Sequence, residues 1–280
     1  MRYDPRPRHP RRRPLMLHII SLGAGVQSTT MALMAAHGEI KPMPDCAIFA
    51  DTQSEPRAVY DHLHWLCGKN VLPFPVKIVT VGSLFDQIGK QRPTGKYKHQ
   101  PIPAFTRGND GRPAPLNRSC TKDFKIVPIE REVRKMLGIY RKRSPTTPIV
   151  QQWIGISTDE AHRMKPSRNA WQENRWPLIE AHMSRGDCLL WLKHNGYPRP
   201  AKSSCTFCPY HSDKTWGAMK ATDPEAWGQA VEIDRRLRDI WPDRADGIYL
   251  HRSLKPLDEI DFGSDQFEMF GNECEGVCGV

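Results

Sequence analysis

The sequence feature that most constrains the fold is a glycine loop that joins a short apolar run to a helix-forming run. The apolar run covers residues 17–20, the loop covers 21–30, and the helix-forming run covers 31–37 and ends at Gly38. An apolar run of this length predicts a buried strand, and a glycine directly after a helical pattern predicts the end of the helix. The segment therefore predicts a strand, a tight loop and a helix, in that order.

Further apolar runs follow along the chain. They cover residues 46–50, 76–79 and 149–156, and a helical pattern at 56–67 lies between the first two. Because parallel strands need crossover connections, strands that alternate with helices predict a parallel sheet with helices on both faces. We therefore expect an α/β, Rossmann-like fold. Residues 90–118, rich in Pro, Gly, Lys and Arg, are expected to form an exposed loop.

The composition excludes two classes of protein. The 280 residues include 8 Trp, 9 Phe and 7 Tyr, which supply enough core material to exclude a wholly disordered chain. No stretch approaches the roughly 20 consecutive apolar residues that span a membrane. We therefore expect a globular protein with no membrane among its partners.

The net charge of +10 is concentrated in two segments. Residues 1–14 carry six Arg and one Asp, and residues 90–143 carry fifteen Lys and Arg against four acidic residues, so the rest of the chain is acidic. Such segments indicate either a polyanionic partner or a solvated basic face. We expect the first of them, 1–14, to be a flexible basic arm.

The glycine loop has the residues of an anion-binding loop. Gly23 and Gly25 allow a ligand to approach the backbone, the helix N-terminus offers unpaired N–H groups, and Ser28 and Thr29 offer hydroxyl groups. The dinucleotide fingerprint is not met, because Ser28 stands where a third glycine would be, and no Lys precedes the hydroxyl residues as in a P-loop. On the residues alone, a tight strand-to-helix turn without a ligand is the alternative.

The eight cysteines are too few for a disulfide scaffold at this length, and their placement indicates a reduced protein, which we expect in the cytoplasm. Cys205 and Cys208 form a C-x-x-C pair, a spacing at which two thiolates bind one metal ion or cluster. Cys120 lies between the basic residues Arg118 and Lys122, which favour a thiolate. A cluster, a structural zinc site and a redox dithiol all stay open on the residues alone.

Beyond the loop, short motifs follow in a fixed order over residues 17–215. The first is Ser21-x-Gly23-x-Gly25-Val26-Gln27-Ser28-Thr29, and the later ones lie at 49–55, 118–121, 124–128, 153–156, 159–163, 177–179, 187–197 and 205–209. The first motif is similar to the pyrophosphate-binding loop of the adenine nucleotide alpha-hydrolase superfamily, the PP-loop ATP pyrophosphatases. Within that superfamily, the whole series most resembles the branch of the phosphoadenosine phosphosulfate (PAPS) reductases.

The resemblance implies a site for ATP with Mg²⁺. It places the nucleotide against Ser21, Gly23, Gly25, Gln27, Ser28, Thr29, Asp51 and Arg163. It implies that Asp51 lies at the carboxyl end of a strand and serves in catalysis, whereas a helix N-cap is the alternative for this residue. Gln27 stands where the family commonly has Asp, and Gln53 where it commonly has Gly. For Arg163, an ion pair with Glu160 is the alternative.

The resemblance also implies a [4Fe–4S] cluster. The related sulfonucleotide reductases bind theirs through a cysteine pair in the Cys120 region and a later C-x-x-C, but Ser119 replaces one member of that pair here. Two cysteines of the tail are candidates for the missing ligand. The predicted ligands are Cys120, Cys205, Cys208 and Cys274, with Cys278 as the substitute for Cys274.

Together these features predict an ATP-dependent sulfurtransferase. The similar DNA phosphorothioation and iron–sulfur tRNA thiolation enzymes combine such a loop with a cluster. They imply a nucleic acid or nucleotide as acceptor and a sulfur donor such as a cysteine desulfurase. One alternative is a PAPS or APS reductase with Cys274, in Glu273-Cys274-Glu275-Gly276, as nucleophile. Another is a nucleic-acid-binding module with structural zinc.

The predicted organisation has three parts. A flexible arm at 1–14 precedes a nucleotide-binding PP-loop domain at 15–160. A smaller helical and loop region at 161–280 carries most of the candidate cysteine ligands.

Overall fold

Strands and helices alternate along the described part of the chain. The computed structural model describes residues 16–91, 98–240 and 247–262, so the predicted arm at 1–14 and the tail with Cys274 and Cys278 lie outside the described residues. The elements are, in order, β1 (Leu17–Leu22), α1 (Val26–Ala36), β2 (Cys46–Asp51), α2 (Arg57–Leu66), β3 (Val76–Thr80), α3 (Leu84–Gln87), β4 (Phe105–Arg107), β5 (Pro113–Pro115), a π-helical turn (Thr121–Ile126), α4 (Val127–Met136), β6 (Val150–Ile154), a 3₁₀ turn (Thr158–Arg163), β7 (Gln172–Arg175), α5 (Pro177–Glu180), α6 (Arg185–His194), α7 (Asp213–Thr222), α8 (Pro224–Arg238) and a 3₁₀ turn (Leu257–Glu259). Within these ranges, no helix is both long and apolar enough to cross a bilayer.

Five strands form one parallel sheet in the order β3-β2-β1-β6-β7. The central strand, β1, pairs with β2 on one side and with β6 on the other, so that Ser21 lies opposite Ile48 and Ile154. Ile19 and Ile20 of β1 point to opposite faces, and neither has exposed surface. Burial on both faces is what a parallel sheet covered by helices requires. The structure confirms the predicted α/β, Rossmann-like fold.

Different helices cover the two faces of the sheet. On one face, Ile20 packs in a cluster with α1, with Leu63 of α2 and with Leu192 of α6. On the other face, Ile19 packs in a cluster with Ile129 of α4. Because neighbouring side chains of a strand point in opposite directions, the apolar run of β1 supplies both layers of the core.

A third core joins the segment after β3 to the last helices. Ile102 and Ala104 are buried and belong to one cluster with Trp216 of α7. In the same stretch, β4 and β5 form an antiparallel hairpin. The prediction that residues 90–118 form an exposed, irregular loop was therefore wrong for the hairpin and for the apolar residues before it. A few apolar side chains without a period give no sequence signal, yet helices from elsewhere in the chain can bury them.

The sheet continues beyond residue 160, where the predicted nucleotide-binding domain ends. β7 has the sequence Gln-Glu-Asn-Arg, without an apolar residue, and it pairs in parallel with β6. Backbone hydrogen bonds to a strand already in place are sufficient to add such an edge strand. The division at 15–160 and 161–280 stays a prediction.

The π-helical turn before α4 positions Cys120. Pro128 lies in the first turn of α4, and a proline has no N–H group and its ring clashes with the carbonyl four residues earlier in a regular α-helix. A wider turn at 121–126 accommodates the ring. The N–H groups of Ser119 and Cys120 both donate to the Pro101 carbonyl, at 2.8 and 2.9 Å. Cys120 is thereby fixed at the start of the helix.

One buried carboxylate holds the C-terminal segment on α8. Asp234 has no exposed surface and accepts hydrogen bonds from the backbone N–H groups of Leu250, at 2.8 Å, and Leu257, at 3.0 Å. It also forms an ion pair with Arg238, one helical turn further along. The segment 247–262 therefore depends on this side chain for its position.

Replacing Asp234 with Ala should lower the free energy of unfolding by about 3 kcal/mol, because two buried N–H donors and one cation lose their acceptor. Urea unfolding followed by circular dichroism measures the change. The control, Asp239→Ala, removes an exposed carboxylate at the end of the same helix and should change the free energy by less than about 0.5 kcal/mol. Equal effects of the two substitutions would contradict the prediction.

Candidate functional site

Three strands end together at one edge of the sheet, here called the carboxyl edge. Ser21 lies one residue before the end of β1, Asp51 ends β2, and Gly155 follows β6. The chain runs from β1 outward to β3 and returns to β6 on the other side of β1, so a crevice opens at the ends of β1 and β6. Open α/β sheets bind their ligands at this kind of position.

Two glycines allow the walls of the crevice to come close. A Cβ on Gly155 would lie 3.0 Å from the backbone nitrogen of Ser28 in α1. A Cβ on Gly25 would lie 2.7 Å from Ser203 Oγ. A Cβ on Gly155 would press on backbone that has little room to shift, so this position favours glycine, whereas the Ser203 hydroxyl could rotate away from a Cβ on Gly25. The second contact also joins the glycine loop to the segment that carries Cys205.

The glycine loop presents the N-terminus of α1 toward the crevice. Gly25 is the N-cap, and no acidic side chain lies in the first turn. The first hydrogen bond of the helix runs from the N–H of Thr29 to the Gly25 carbonyl, at 3.0 Å. The N–H groups of Val26, Gln27 and Ser28 therefore have no acceptor within the helix, and the helix dipole adds partial positive charge. This is the backbone arrangement of an anion site.

The two predicted hydroxyl residues of the loop have different surroundings. Ser28 Oγ accepts a hydrogen bond from the Gly23 N–H at 3.2 Å and donates one to the Gly25 carbonyl at 3.3 Å. Ser28 thus fixes the shape of the loop. Thr29 has no exposed surface, and its Oγ1 lies 3.0 Å from Nε2 of His62 on α2. The Thr29 side chain thus connects α1 to α2 beneath the loop.

Gln27 and Arg163 share one carboxylate. Gln27 Nε2 donates to Glu160 Oε2 at 3.2 Å, and the Arg163 guanidinium donates to Glu160 Oε1 at 2.6 Å. Gln27 Nε2 also lies 3.5 Å from Ser157 Oγ. The ion pair that the sequence left open for Arg163 is therefore present. Contacts of Gln27 and Arg163 with a nucleotide stay predictions.

Asp51 stands at the carboxyl edge with one oxygen engaged. Its Oδ1 accepts hydrogen bonds from the Tyr60 hydroxyl and the Gln53 N–H, both at 2.8 Å. Burial, and then the hydrogen bond and charge of Asp51, raise the pKa of Tyr60, so the phenol stays a donor. Gln53 has a φ of 55°, a conformation that favours glycine, the residue common there in the family the chain resembles. The catalytic role of Asp51 stays a prediction.

The three predicted cysteine ligands among the described residues line one cavity. Cys120, Cys205 and Cys208 all border it. Its walls include apolar side chains and two cations, Arg118 and Lys125. None of the six cysteines in the described ranges forms a disulfide, and no three cysteine, histidine or carboxylate side chains there converge on a point that could hold a single metal ion. The predicted fourth ligand, Cys274, lies outside those ranges.

The C-x-x-C pair sits in a tight turn that is tied to the end of β2. The Cys208 N–H donates to the Cys205 carbonyl at 3.0 Å, and His211 Nε2 donates to the same carbonyl at 3.0 Å. The Thr206 N–H donates to the Ser54 carbonyl at 2.8 Å. The turn therefore moves with the carboxyl edge of the sheet as one unit.

A buried ion pair beside Cys205 was missed by the sequence reasoning. Lys125 Nζ lies 3.2 Å from Glu55 Oε1, and the two side chains are 15% and 2% exposed. The same oxygen accepts from the Thr52 hydroxyl at 3.3 Å and lies 3.9 Å from Cys205 Sγ. The other oxygen, Oε2, is buried without a hydrogen-bond partner in the described part of the chain. The sequence did offer one signal for these two residues, because Glu55 lies in the motif at 49–55 and Lys125 in the motif at 124–128.

This ion pair changes the chemistry of the nearest thiol. Burial raises the pKa of Cys205 well above its ordinary value, the Glu55 carboxylate raises it further, and Lys125 opposes both. Without an additional positive charge, Cys205 is therefore a neutral thiol. A bound metal would supply that charge and release the proton.

Fold and site together define an α/β protein in which a loop with the geometry of an anion site adjoins a three-thiol cavity. Two solved structures are similar to the chain over most of its length. The PAPS reductase of Candida auris, in a phosphate complex, is 12% identical with a TM-score of 0.37, and the similarity covers 67% of this chain and 75% of the reductase. The U34-tRNA thiolase NcsA of Methanococcus maripaludis, with its [4Fe–4S] cluster, is 15% identical with a TM-score of 0.38, over 79% of this chain and 72% of the thiolase. No protein-family model and no curated protein matches the chain.

The histidine beneath the glycine loop should make stability depend on pH. Burial lowers the pKa of His62 from 6.5 to about 4. The unfolded chain binds the imidazole proton near pH 6.5, whereas the folded chain binds it only near pH 4. The stability that depends on neutral His62 is therefore complete above pH 6.5 and is lost as the pH falls to 4. The loss should reach at most about 3 kcal/mol.

Urea unfolding at several pH values between about 7 and about 4 measures this loss. The variant His62→Gln has no such group and should lose less stability over the interval than the parent protein does. His64→Gln, which alters an exposed histidine of the same helix, is the control and should follow the parent protein. An unchanged pH dependence in His62→Gln would overturn the prediction.

Proposed function

We propose that this chain is an ATP-dependent sulfurtransferase of the PP-loop class that uses a [4Fe–4S] cluster and acts on a nucleic acid or nucleotide. The observation that carries the proposal is the contact between Gly25 and Ser203, where a Cβ on the glycine would lie 2.7 Å from Ser203 Oγ. Gly25 belongs to the anion-binding loop, and Ser203 lines the cavity of the three cysteines. Acceptor activation and sulfur delivery would thus take place side by side.

The loop half of the site would activate the acceptor. N–H groups in the first turn of α1 would bind the triphosphate and orient its α-phosphate toward an acceptor oxygen. Attack of that oxygen forms a new P–O bond as the bond to pyrophosphate breaks, and the same N–H groups stabilise the charge that develops. Asp51 would hold Mg²⁺, whose charge offsets that of the phosphates. Arg163, anchored by Glu160, would contact the nucleotide.

The cavity half of the site would carry the sulfur. Cys120, Cys205 and Cys208, with Cys274 as the fourth ligand, would hold a [4Fe–4S] cluster, which supplies a place for transferable sulfur when it is bound. The donor set fits such a group: three thiols, apolar walls, and a lysine that offsets the negative charge of the thiolates. Attack of the sulfur on the adenylated carbon breaks the C–O bond, and AMP leaves with its electron pair.

The proposal calls for two partners. Basic charge at 1–14 and 90–143 suits a nucleic acid acceptor. A sulfur donor such as a cysteine desulfurase would supply persulfide sulfur, and a thiol reductant would supply the two electrons that convert it to the sulfide level used in the attack. Free thiols suit a reducing compartment such as the cytoplasm.

Metal analysis tests the cavity half. Purified without oxygen, the protein should contain about four iron atoms and four acid-labile sulfides per chain. Cys205→Ala should lose both, because it removes one of the three thiols that line the cavity. Cys67→Ala removes an exposed thiol outside the cavity and should retain both. One zinc per chain without sulfide would overturn the cluster and favour a zinc-containing binding module.

Release of pyrophosphate from ATP tests the loop half. Gly25→Ala should lower the acceptor-stimulated rate by roughly twofold to tenfold, because the Ser203 hydroxyl must rotate away from the new Cβ or the loop must shift. Ser203→Ala removes the oxygen and leaves the serine Cβ position 3.4 Å from the new methyl group. The double variant should therefore regain part of the rate. If it stays as slow as Gly25→Ala, the contact is not what joins the two halves.

A reductase reaction is the outcome that would displace the proposal. Release of sulfite from PAPS or APS, with no pyrophosphate release from ATP, would assign the chain to the sulfonucleotide reductases. Loss of that sulfite release in Cys274→Ser, with iron content retained, would identify Cys274 as a nucleophile rather than a ligand.

A further inference from the structure

Exposed cations collect around one exposed tyrosine at the far end of α4. Tyr140 is 37% exposed, and the Lys135 ammonium and Arg141 guanidinium lie 5.9 and 5.5 Å from its ring centroid. Both distances fall in the range of cation–π contacts. Three further exposed cations lie in the same stretch of chain. The name tyrosine patch is used here for Arg131, Lys135, Tyr140, Arg141, Lys142 and Arg143.

The patch is built on a fixed loop. The Arg134 guanidinium donates to Ser144 Oγ at 2.6 Å, to the Lys142 carbonyl at 2.8 Å and to the Ile139 carbonyl at 3.1 Å. It also lies 5.8 Å from the ring centroid of Trp171. One side chain thus ties the loop to the body of the protein at three points. A surface ordered in advance loses little conformational entropy on binding.

The carboxylates of α4 leave the patch strongly positive. Glu132 is engaged by Lys77 at 3.3 Å and by Lys135 at 3.6 Å, and Glu130 accepts a hydrogen bond from Asn169 at 2.6 Å. The five cations of the patch thus outnumber these two carboxylates, both of which already have partners. A single-sign surface of this kind attracts a polyanion.

The patch and the cysteine cavity lie at opposite ends of one helix. The π-helical turn and α4 run without interruption from Thr121, beside Cys120, to Met136. Sixteen helical residues span about 24 Å. One further exposed cation, Lys122, lies along this path, as does Arg131 of the patch. The N–H of Leu17 donates to the Ile149 carbonyl at 3.0 Å, so β1 begins beside the chain segment that follows the patch.

We propose that the tyrosine patch is a docking surface for the phosphodiester backbone of a nucleic acid, which extends from there along α4 toward the carboxyl edge. The inference rests on the proposed function, because it chooses a nucleic acid over a free nucleotide as the acceptor. Each strand carries one negative charge per about 3.4 Å, so about 24 Å corresponds to about seven base pairs of backbone. A single nucleotide cannot reach both ends of α4.

The side chains of the patch suit nucleic acid more than an acidic protein. Guanidinium groups pair with phosphate through two parallel hydrogen bonds, and three of the five cations are arginines. Tyr140 offers an exposed ring on which a base or sugar can stack. Duplex DNA and structured RNA share this backbone chemistry.

The test measures binding by fluorescence anisotropy with a labelled DNA duplex and a labelled RNA hairpin, each of about 20 base pairs. The variant Arg141→Gln, Lys142→Gln, Arg143→Gln should raise Kd at least about tenfold and reduce the slope of log Kd against log salt by roughly 2 to 3. The matched control replaces three exposed cations elsewhere by Gln, at Lys193, Arg199 and Lys214, and should keep the parent slope. The better-bound probe distinguishes DNA from RNA.

Tyr140 gives a second, charge-neutral readout. Tyr140→Ala should raise Kd by roughly fivefold to a hundredfold, and Tyr140→Phe, which keeps the ring, should bind as the parent protein does. An unchanged salt slope in the triple variant would overturn the proposal. The proposal would also be overturned if polyglutamate displaced the labelled duplex as well as unlabelled duplex does, compared per negative charge. That result would indicate a surface for an acidic protein.

The outcome also separates this inference from the proposed function. All these variants should retain the iron content of the parent protein, because the patch lies outside the cavity. Binding that depends on the patch, without any pyrophosphate release, would sustain the docking surface and count against the sulfurtransferase. If nucleic acid binding did not depend on the patch and pyrophosphate release were normal, the docking surface would be overturned and the sulfurtransferase would be supported.

Discussion

The contact between Gly25 and Ser203 holds the two halves of the site together. These residues are far apart in sequence, and they meet so closely that a Cβ on the glycine would lie 2.7 Å from the Ser203 hydroxyl oxygen. The contact works because both partners are anchored separately. Ser28 fixes the loop through Gly23 and Gly25, and the Thr206 N–H ties the cysteine turn to the end of β2. A loop with the backbone arrangement of an anion site and a cavity lined by thiols thus share one wall, although neither motif specifies the other.

A buried ion pair contributes to the charge balance inside that wall. Glu55 and Lys125 meet between Thr52 and Cys205, where few side chains reach solvent. Removing either partner would leave an unpaired charge, which costs more than the pair contributes. The pair also sets the state of Cys205, since the carboxylate raises the pKa of the thiol and the lysine opposes that effect. Electrostatics in the cavity therefore favours a positive ligand for the thiols over a free thiolate.

The sequence was sufficient for the features that depend on local pattern. The apolar run and glycines of β1 and its loop predicted a strand, a turn and a helix, because each needs only neighbouring residues. The C-x-x-C spacing likewise predicted a turn with two thiols. Features that depend on distant partners were missed. β7 has no apolar residue, Ile102 is buried by helices from the other end of the chain, and Glu55 meets Lys125 across seventy positions. No local pattern marks contacts of this kind.

The contacts of Gln27 give a physical reason for glutamine at a position where the family that the chain resembles has another residue. The family the chain resembles commonly has Asp at this position, but here the side chain lies 3.2 Å from Glu160 Oε2. An aspartate there would set two carboxylates against each other, whereas the amide of glutamine donates a hydrogen bond. Glu160 in turn holds Arg163 at 2.6 Å. The three side chains form one matched set, which positions the arginine beside the first turn of α1. Because the glutamine amide is occupied in this way, recognition of the phosphates would fall to the backbone N–H groups of the loop, which do not depend on the identity of the side chain.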